Sequence, residues 1–269
     1  MDLSLQNVHV LITGASGGVG VATAALFLSH GANVTLQYNT ALAPLAPLCA
    51  SHPHHTLALK ADVTHEQEVA TLVSAATARF GVIGILVVCH GIWPAEDVAL
   101  KDMSLDRWRG TIAVNLDGTF LFARAFLKQL ETRGDARGLK DVAIVLVGST
   151  AGKFGEAFHA DYSCTKSAMM YGLTLSLKNE IVKVHPAGRV NCVSPGWIRT
   201  PMAERAMKDP ALLYQALAST PTLKVSEPSD IANAILFLSS STLSGNITGI
   251  SLDVNGGMEG RILNKPEDV

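Results

Sequence analysis

The sequence is poor in the residues that mark secreted, metal-binding or nucleic-acid-binding proteins. Only 4 of its 269 residues are cysteines, and they are scattered without a CxxC pair, so we expect reduced thiols and no metal site. The histidine-rich turn His52-Pro53-His54-His55 has no cysteine or carboxylate at ligand spacing and is interpreted as an exposed loop. Charged residues make up 16% of the chain and the basic ones form no dense run, which argues against a nucleic-acid-binding stripe.

Long hydrophobic runs and an N-terminal targeting pattern are also missing. The longest apolar run, Val82–Cys89, is interrupted by Gly84 and is far shorter than the roughly 20 residues that span a bilayer. The first residues are polar and lead directly into a strand-like run, with no basic region followed by an apolar one. The sequence therefore predicts a cytoplasmic protein without a signal peptide or a transmembrane helix.

Short apolar runs alternate with helix-like segments along the whole chain, which predicts an α/β fold. We expect one doubly wound, Rossmann-like parallel sheet of about seven strands, with helices on both faces. Residues 1–269 are predicted to form a single dinucleotide-binding and catalytic domain, in which residues 197–226 are inserted as a small helical substrate lid. The predicted strands are Val8–Thr13, Asn33–Tyr38, Thr56–Ala61, Gly84–Cys89, Val142–Gly148, Arg189–Val193 and Gly249–Asp253, and the clearest helices are Val19–Ser29, His65–Phe80, Ile112–Thr132, Asp161–Val184 and Ser229–Ser240.

A glycine-rich turn, residues 13–20, links the first strand to the first helix with the spacing TGxxxGxG. Glycines in such a turn let the backbone approach a pyrophosphate, and the helix N-terminus offers free N–H groups and a positive dipole end. An ordinary tight turn is the alternative interpretation. The candidate cofactor-binding residues of this turn are Gly14, Ser16, Gly18, Val19 and Gly20.

Two further features point to proton-transfer chemistry. Tyr162 and Lys166 form a YxxxK motif within a predicted helix, so the two side chains lie on one face. A nearby cation favours the phenolate form of a tyrosine, and we therefore expect a lowered pKa for Tyr162. Ser149 follows an apolar strand at the carboxyl edge of the predicted sheet, where a hydroxyl can hold a substrate oxygen. Thr150 is the alternative if the register differs by one residue.

Together, the TGxxxGxG turn, Ser149 and the YxxxK motif resemble the short-chain dehydrogenase/reductase superfamily over roughly residues 7–257. The resemblance implies a catalytic tetrad of Asn115, Ser149, Tyr162 and Lys166, in which Asn115 holds a water of the proton relay. It also implies that Asp62 and Val63 contact an adenine. A segment under the nicotinamide is implied at Pro195, Gly196, Ile198 and Thr200.

The sequence departs from the family after the fourth strand, where the usual NNAG is replaced by Val88-Cys89-His90-Gly91. Gly91 still allows the backbone to approach a cofactor. His90 either faces the cofactor or is a satisfied, partly buried histidine, and we favour the second interpretation.

Cofactor preference depends on the end of the second strand, at Tyr38, Asn39 and Thr40. An NAD enzyme is expected to carry an acidic residue there, but no acid occurs between Ala32 and Cys49. Arginine and lysine are missing from this stretch as well, so the basic clamp of NADP enzymes is not seen. We predict NADP(H), with NAD as the alternative.

The predicted activity is hydride transfer between NADP(H) and a carbonyl or secondary alcohol of a small, hydrophobic or cyclic substrate. Trp93, Phe158 and Trp197 are the candidate substrate contacts, although aromatics near a sheet edge also serve as core. Alternatives are an NAD-dependent alcohol dehydrogenase, a non-redox isomerase or dehydratase, and a cofactor sensor without turnover. The resemblance further implies a homodimer or homotetramer that pairs Ile112–Thr132 and Asp161–Val184 of two subunits in a four-helix interface.

Overall fold

One parallel sheet of seven strands organises the protein, in the order β3-β2-β1-β4-β5-β6-β7. The structure, a computed structural model, describes residues 3–203, 207–262 and 265–268. The predicted fold class is confirmed. Both ends of each predicted strand fall within two residues of the ends of an observed strand. The strands are β1 (His9–Thr13), β2 (Asn33–Tyr38), β3 (Thr56–Lys60), β4 (Ile85–Val88), β5 (Val142–Val147), β6 (Gly188–Pro195) and β7 (Ser251–Val254).

The strand order reverses direction between β1 and β4, which are neighbours in the sheet. The chain moves outward from β1 through β2 to β3 on one side and returns to β4 on the other. A crevice opens at the carboxyl ends of strands at such a point, and ligands of doubly wound folds bind there. The glycine-rich turn follows β1, and residues 89–93 follow β4, so both predicted cofactor segments border this crevice.

Helices cover both faces of the sheet because the strands are apolar on both sides. One face is packed by residues such as Phe122, Phe126 and Ile181, and the other by Phe27, Ile231 and similar side chains. The α-helices are α1 (Gly18–Ser29), α2 (Ala46–Ser51), α3 (Glu66–Phe80), α4 (Leu105–Ile112), α5 (Gly118–Thr132), α6 (Thr150–Phe154), α7 (Ala160–Ser167), α8 (Thr174–Val184), α9 (Pro210–Ala218), α10 (Pro228–Ser239) and α11 (Ser241–Ser244).

Two long helical stretches carry the predicted catalytic residues. The first begins at Leu105 rather than at Ile112, because α4 runs through a π-helical turn, Ala113–Asp117, into α5. Its start is fixed by Ser104, whose hydroxyl accepts a hydrogen bond from the amide of Arg107. The polar composition of α4 hides this start from an analysis based on apolar periodicity. The second stretch joins α7 to α8 through a π-helical turn, Ala168–Leu173.

The predicted lid lies between β6 and α10, and the two ends of this segment are held together. Ile198 and Ser226 form a parallel bridge there, and Ser226 donates its amide to the carbonyl of Trp197. Helix α9 is the lid's described helix, and residues 204–206 of the lid lie outside the described residues. Within the part of the chain that the structure describes, no helix has the length and apolar character needed to cross a membrane.

Candidate active site

The glycine-rich turn presents an open helix N-terminus to the crevice. Gly14 has a φ of 59°, a left-handed conformation that favours glycine. Gly17 precedes α1 in an extended conformation and contributes no side-chain cap, so the first amides of α1 lack intrahelical partners. A Cβ at Gly20 would lie 2.4 Å from the carbonyl oxygen of Gly14. The turn is therefore built for close backbone packing and leaves N–H groups for an anion, which fits a dinucleotide pyrophosphate.

Gln37 holds this turn in place, a role that the sequence analysis missed. Its Oε1 accepts a hydrogen bond of 2.6 Å from the amide of Gly14, and its Nε2 donates to the carbonyl of Ala61 at 2.8 Å. The side chain is buried in the apolar strand β2, where an amide needs such partners. A lone glutamine inside a hydrophobic strand was the available signal.

The end of β2 carries exposed hydrogen-bonding groups. Tyr38 is half-buried, and Asn39 and Thr40 are exposed. Tyr38 pairs in register with Lys60 of β3, and Lys60 is exposed as well. A cation therefore lies beside the predicted ribose-binding position. It comes from a neighbouring strand, which is why inspection of the β2 segment alone did not reveal it.

The predicted adenine contacts follow β3. Asp62 accepts hydrogen bonds from the amide and the hydroxyl of Thr64, at 2.9 and 2.7 Å, and these bonds hold the pKa of its carboxyl below the ordinary value. Asp62 is thus an ionised, fixed acceptor at neutral pH. Val63 is buried, and its side chain would contact a Cβ placed on Gly118.

Ser149, Tyr162 and Lys166 come together at the carboxyl ends of β5 and β6. Ser149 caps α6, and its Oγ accepts a hydrogen bond of 3.1 Å from the amide of Ala151. Its side chain lies close enough to that of Tyr162 to lower the pKa of the phenol. The Nζ of Lys166 lies 5.6 Å from the centre of the Tyr162 ring and donates to the carbonyl of Val147 at 2.7 Å.

The electrostatics of this trio differ from the expected pattern. Burial raises the pKa of Tyr162 to about 12, the neighbouring Ser149 hydroxyl opposes the rise, and the charge of Glu156 adds to it. The expected lowering of the Tyr162 pKa is therefore wrong for this arrangement, because desolvation dominates. Burial also lowers the pKa of Lys166 to about 8. Tyr162 is protonated at neutral pH and can donate a proton.

Asn115 lies within the first π-helical turn and is fully buried. Its side chain accepts from the amide of Ile92 at 2.8 Å, and donates to the carbonyl of Ile92 at 3.0 Å and to the hydroxyl of Thr165 at 3.2 Å. A Cβ on Gly91 would lie 3.3 Å from the Asn115 Oδ1 and 3.5 Å from the Lys166 Nζ. The glycine thus keeps the backbone close to two members of the proposed tetrad.

His90 is buried and only half satisfied, so the interpretation we favoured holds for its burial but not for both ring nitrogens: its Nε2 is buried without a hydrogen-bond partner among the described residues. Its Nδ1 lies 2.7 Å from the Thr13 hydroxyl oxygen. Burial, and to a lesser extent the charge of Lys166, lower the pKa of His90 to about 3. The imidazole is therefore neutral at physiological pH. It joins the end of β1 to the segment after β4, where the family usually has a small residue.

The segment after β6 brings the lid base to the glycine-rich turn. Gly196 donates its amide to the carbonyl of Val254 at 3.2 Å, and Thr200 donates to the carbonyl of Ile198 at 2.9 Å. A Cβ on Gly18 would lie 2.9 Å from the Cγ2 of Thr200. Thr200 therefore contacts the N-terminus of α1, and Pro195 ends the buried strand that leads to it.

Three aromatic residues were predicted to contact substrate. Trp93 and Trp197 lie at right angles with ring centres 6.4 Å apart, which gives an aromatic corner beside the segment that follows β6. Phe158 has an exposed side chain and a φ of 67°. Its carbonyl accepts hydrogen bonds from Val98 and Arg107, so its backbone orders the loop before α7.

A buried ion pair that the sequence did not reveal supports the start of α7. Asp161 precedes Tyr162 and has a fully buried side chain that accepts from Arg107 Nε at 3.2 Å and from the Thr111 hydroxyl at 2.8 Å. Arg107 also donates to the carbonyl of Glu96 at 2.7 Å. This network links α4 to α7. Among the described residues, no group of three or more histidines, cysteines or carboxylates is arranged to hold a metal ion.

Comparisons with known proteins identify relatives along nearly the whole chain. The family described as Enoyl-(Acyl carrier protein) reductase matches residues 14–259. A (2S)-[(R)-hydroxy(phenyl)methyl]succinyl-CoA dehydrogenase subunit from Thauera aromatica is 37% identical over 95% of this chain and 98% of the relative. A 3-oxoacyl-[acyl-carrier-protein] reductase from Synechocystis is 31% identical over 92% of this chain and 95% of the relative.

A solved structure gives the same result for the fold. The short-chain dehydrogenase/reductase from Brucella melitensis described as glucose/ribitol dehydrogenase superposes with a TM-score of 0.84. It is 34% identical in sequence, and the match covers 96% of this chain and 99% of the other. The similarity thus extends over nearly the whole chain.

Proposed function

Because the chain belongs to the short-chain dehydrogenase/reductase family and is a nicotinamide-dependent oxidoreductase, we propose that it reduces a small ketone with NADPH. A hydride and a proton are added to the carbonyl group, which yields a secondary alcohol and the oxidised cofactor. The observation that carries this proposal is the position of Tyr162, beside the Ser149 hydroxyl and one helical turn before Lys166, whose Nζ lies 5.6 Å from the centre of the Tyr162 ring. We also propose that the whole chain is one catalytic unit with residues 197–226 as its lid.

In this mechanism Ser149 and Tyr162 receive the carbonyl oxygen of the substrate. Their hydroxyls lie near each other, so an oxygen placed between them can accept from both donors. Tyr162 gives its proton to that oxygen as negative charge develops there. Lys166 stabilises the resulting phenolate, and the buried Asn115 positions the neighbouring backbone of Ile92.

The nicotinamide dinucleotide, when bound, supplies or accepts the hydride. The residues proposed to hold it are those that border the crevice at the ends of β1 to β4 and β6. They are Gly14, Ser16, Gly18, Val19, Gly20, Tyr38, Asn39, Thr40, Asp62, Val63, Gly91, Pro195, Gly196, Ile198 and Thr200, together with Tyr162 and Lys166. Trp93, Phe158 and Trp197 are proposed to border a hydrophobic or cyclic substrate.

The preference for NADP(H) is supported by the charge at the end of β2. No carboxylate between Ala32 and Cys49 repels a 2′-phosphate, and the exposed Asn39 and Thr40 offer hydrogen-bond donors. Lys60, paired in register with Tyr38, adds a cation at the same sheet edge. A nearby cation strengthens the binding of the 2′-phosphate of NADP(H), whereas it does little for the uncharged 2′-hydroxyl of NAD(H).

Fluorescence titration with NADPH and NADH tests this preference. We expect NADPH to bind at least tenfold more tightly, a difference of about 1.4 kcal/mol. Lys60→Met is expected to weaken NADPH binding and leave NADH binding unchanged, and Lys101→Met, which alters a lysine with an 83% exposed side chain, serves as the matched control. Tighter binding of NADH would favour an NAD-dependent alcohol dehydrogenase, and binding of neither would contradict the proposal.

The role of Tyr162 is tested with Tyr162→Phe. We expect kcat for ketone reduction to fall by about 10²–10⁴-fold, the usual contribution of a positioned proton donor, with cofactor affinity within threefold of wild type. Tyr171→Phe, on the exposed side of the same helical stretch, is the control. Full biological activity of Tyr162→Phe together with normal cofactor binding would instead favour a sensing role, and turnover without a change in the cofactor's redox state would favour an isomerase or dehydratase.

A further inference from the structure

The carboxylate of Glu156 lies in the loop between α6 and α7 and has no function in the mechanism above. Its Oε1 accepts a hydrogen bond of 3.2 Å from the indole N–H of Trp93. The side chain is 27% exposed, so the carboxylate is partly withdrawn from water while remaining accessible. A carboxylate in this setting retains acceptor capacity for a ligand.

The charged neighbours of Glu156 leave its charge poorly compensated. The His159 Nδ1 is 3.9 Å from its Oε1, which is longer than a hydrogen bond. Asp97 and Asp161 add negative charge nearby, although Asp161 is itself paired with Arg107. Burial, opposed by His159 and Trp93, raises the pKa of Glu156 above its ordinary value. A ligand that donates a hydrogen bond to this carboxylate would relieve part of the penalty.

Glu156 lies in an aromatic cluster. Trp93 stacks on the buried His159 with ring centres 4.5 Å apart, and the Trp93 and Trp197 rings meet edge to face with centres 6.4 Å apart. Both tryptophans follow segments proposed to hold the cofactor. The charge of Glu156 also raises the pKa of Tyr162.

We propose that Glu156, Trp93 and Trp197 form a substrate subsite that takes the hydroxyl-bearing side of a neutral cyclic ketone. In this subsite Glu156 accepts a hydrogen bond from the hydroxyl group, and the two indoles pack against the ring. A substrate that carries a carboxylate at this position is rejected by like-charge repulsion. This inference rests on the proposed reductase function, and it adds a polar requirement to a substrate that the sequence alone predicts as hydrophobic or cyclic.

The orientation of Trp93 favours a hydroxyl over a cationic group. Aromatic rings attract cations over their faces, where the quadrupole is negative, and repel them at their edges. Trp93 presents its N–H edge to Glu156, and one of its faces is covered by His159. A cation held by the carboxylate would therefore meet the positive edge of the indole. A neutral hydroxyl meets no such repulsion.

The test compares cyclohexanone, its hydroxylated derivatives and a carboxylated derivative as substrates of wild type, Glu156→Leu and Glu156→Gln. We expect wild type to favour the best hydroxylated ketone by about tenfold in kcat/KM over cyclohexanone, and to discriminate strongly against the carboxylated one. Glu156→Leu is expected to abolish the hydroxyl preference, so that kcat/KM for the hydroxylated ketone becomes equal to that for cyclohexanone. Glu156→Gln should raise the ratio of kcat/KM for the carboxylated ketone to kcat/KM for the hydroxylated ketone by about tenfold.

Asp97→Asn is the matched control, because Asp97 lies near His159 with an exposed side chain and its substitution should leave these ratios unchanged. A merely structural role of Glu156 would lower the activity on all ketones alike and leave the ratios intact. Equal use of hydroxylated and unsubstituted ketones by wild type, with no change in Glu156→Leu, would overturn the proposal.

Tryptophan fluorescence separates a failure of the subsite from a failure of the reductase function. The chain has 3 tryptophans, and Trp108→Phe leaves only Trp93 and Trp197, the two of the subsite. Quenching by a hydroxylated ketone that is lost in Glu156→Leu would support the subsite even if no ketone were reduced. Turnover without hydroxyl-dependent quenching or selectivity would overturn the subsite while supporting the reductase.

Discussion

At the scale of single residues, Lys166 combines a functional charge with a cost in stability. Its side chain is 5% exposed, and burial lowers its pKa from 10.5 to about 8. Such a shift corresponds to a penalty of about 3 kcal/mol for the charged form, partly offset by the hydrogen bond to the carbonyl of Val147. The catalytic role that we propose for Lys166 beside Tyr162 explains why the fold carries this penalty.

Lys166→Met is therefore expected to inactivate the enzyme and to raise its free energy of unfolding at pH 7 by about 1–2 kcal/mol, after allowance for the lost hydrogen bond. Because the folded pKa is about 8 and the unfolded value 10.5, the gain is constant below about pH 8 and shrinks as the pH rises to 10.5. Urea unfolding without cofactor at pH 7 and pH 10 measures it. Lys183→Met, at an exposed position of α8, should change little, and a less stable Lys166→Met would contradict the argument.

How much of the site the sequence predicts depends on whether a residue's neighbours are local. Tyr162 and Lys166 are predictable because a spacing of four places them on one helical face. Glu156 and Lys60 are not, since their partners Trp93 and Tyr38 lie on distant segments. The raised pKa of Tyr162 is also invisible in the sequence, because desolvation depends on the packing of the whole pocket.

At the scale of elements, the glycine-rich turn is packed so closely that a side chain at Gly20 would collide with the backbone. A Cβ on Gly20 would meet the Gly14 carbonyl oxygen at 2.4 Å and the Cα of Ala15 at 2.7 Å. Gly20→Ala is therefore expected to displace the turn, to weaken cofactor binding by tenfold or more and to lower stability by about 1–3 kcal/mol. Cofactor titration and thermal unfolding measure the two effects.

Gly110→Ala provides the comparison, because Gly110 is an exposed helical glycine of α4 with no atom within 4 Å of an added Cβ. It should raise stability by up to about 1 kcal/mol through helix propensity and leave cofactor affinity unchanged. Equal effects of the two substitutions would show that the turn tolerates a side chain.

The junction of α4 and α7 depends on the pair of Arg107 and Asp161. Although burial pushes the pKa of Asp161 upward, hydrogen bonds from Thr111 and Arg107 hold it below the ordinary 3.8. The stabilisation is therefore present above about pH 4 and is lost as the pH falls through the lowered folded pKa. Arg107→Met should reduce the free energy of unfolding at pH 7 by about 3 kcal/mol, because it leaves a buried charge unpaired.

Chemical unfolding at pH 7 and pH 3 measures this loss, and the difference between Arg107→Met and wild type should be smaller at pH 3. Arg109→Met, at an exposed position of the same helix, is expected to stay within about 0.5 kcal/mol of wild type. A stable Arg107→Met with an unchanged acid transition would show that Arg107 contributes nothing to this junction.

Elements of the fold were predictable where apolar patterning is strong. β2 was predicted with both ends correct because it is a short, buried run between turns. The start of α4 was missed since Gly110 and charged residues interrupt any apolar stripe, and its position depends on the Ser104 cap and on Asp161 across the junction. The parallel topology could be predicted from the alternation of strands and helices along the chain, because parallel strands need helical crossovers.

At the scale of the whole molecule, the helices that carry Asn115 and Tyr162 leave an apolar outer surface. Phe120 of α5, Tyr171, and Leu175 and Val182 of α8 are each exposed by 42–46%, whereas Phe122 and Ile181 on the same stretches are buried in the core. Exposed apolar side chains on paired helices are typical of an interface. They support the prediction of a homodimer or homotetramer in which these helices pair, and they connect assembly to the elements that hold the proposed tetrad.

Phe120→Glu tests the predicted interface because it replaces an exposed phenyl ring of α5 with a charge. The guanidinium of Arg124 lies 4.8 Å from that ring. We expect sedimentation to show a dimer or tetramer for wild type and weakening of the assembly by about thirtyfold or more in the variant, the effect of losing an interface hot spot. Leu42→Glu, at a residue exposed to a similar degree (45%) on another segment, should assemble normally. A wild-type protein that sediments as a 28.4 kDa monomer would contradict the interface, and would require the outer faces of α5 and α8 to have another partner.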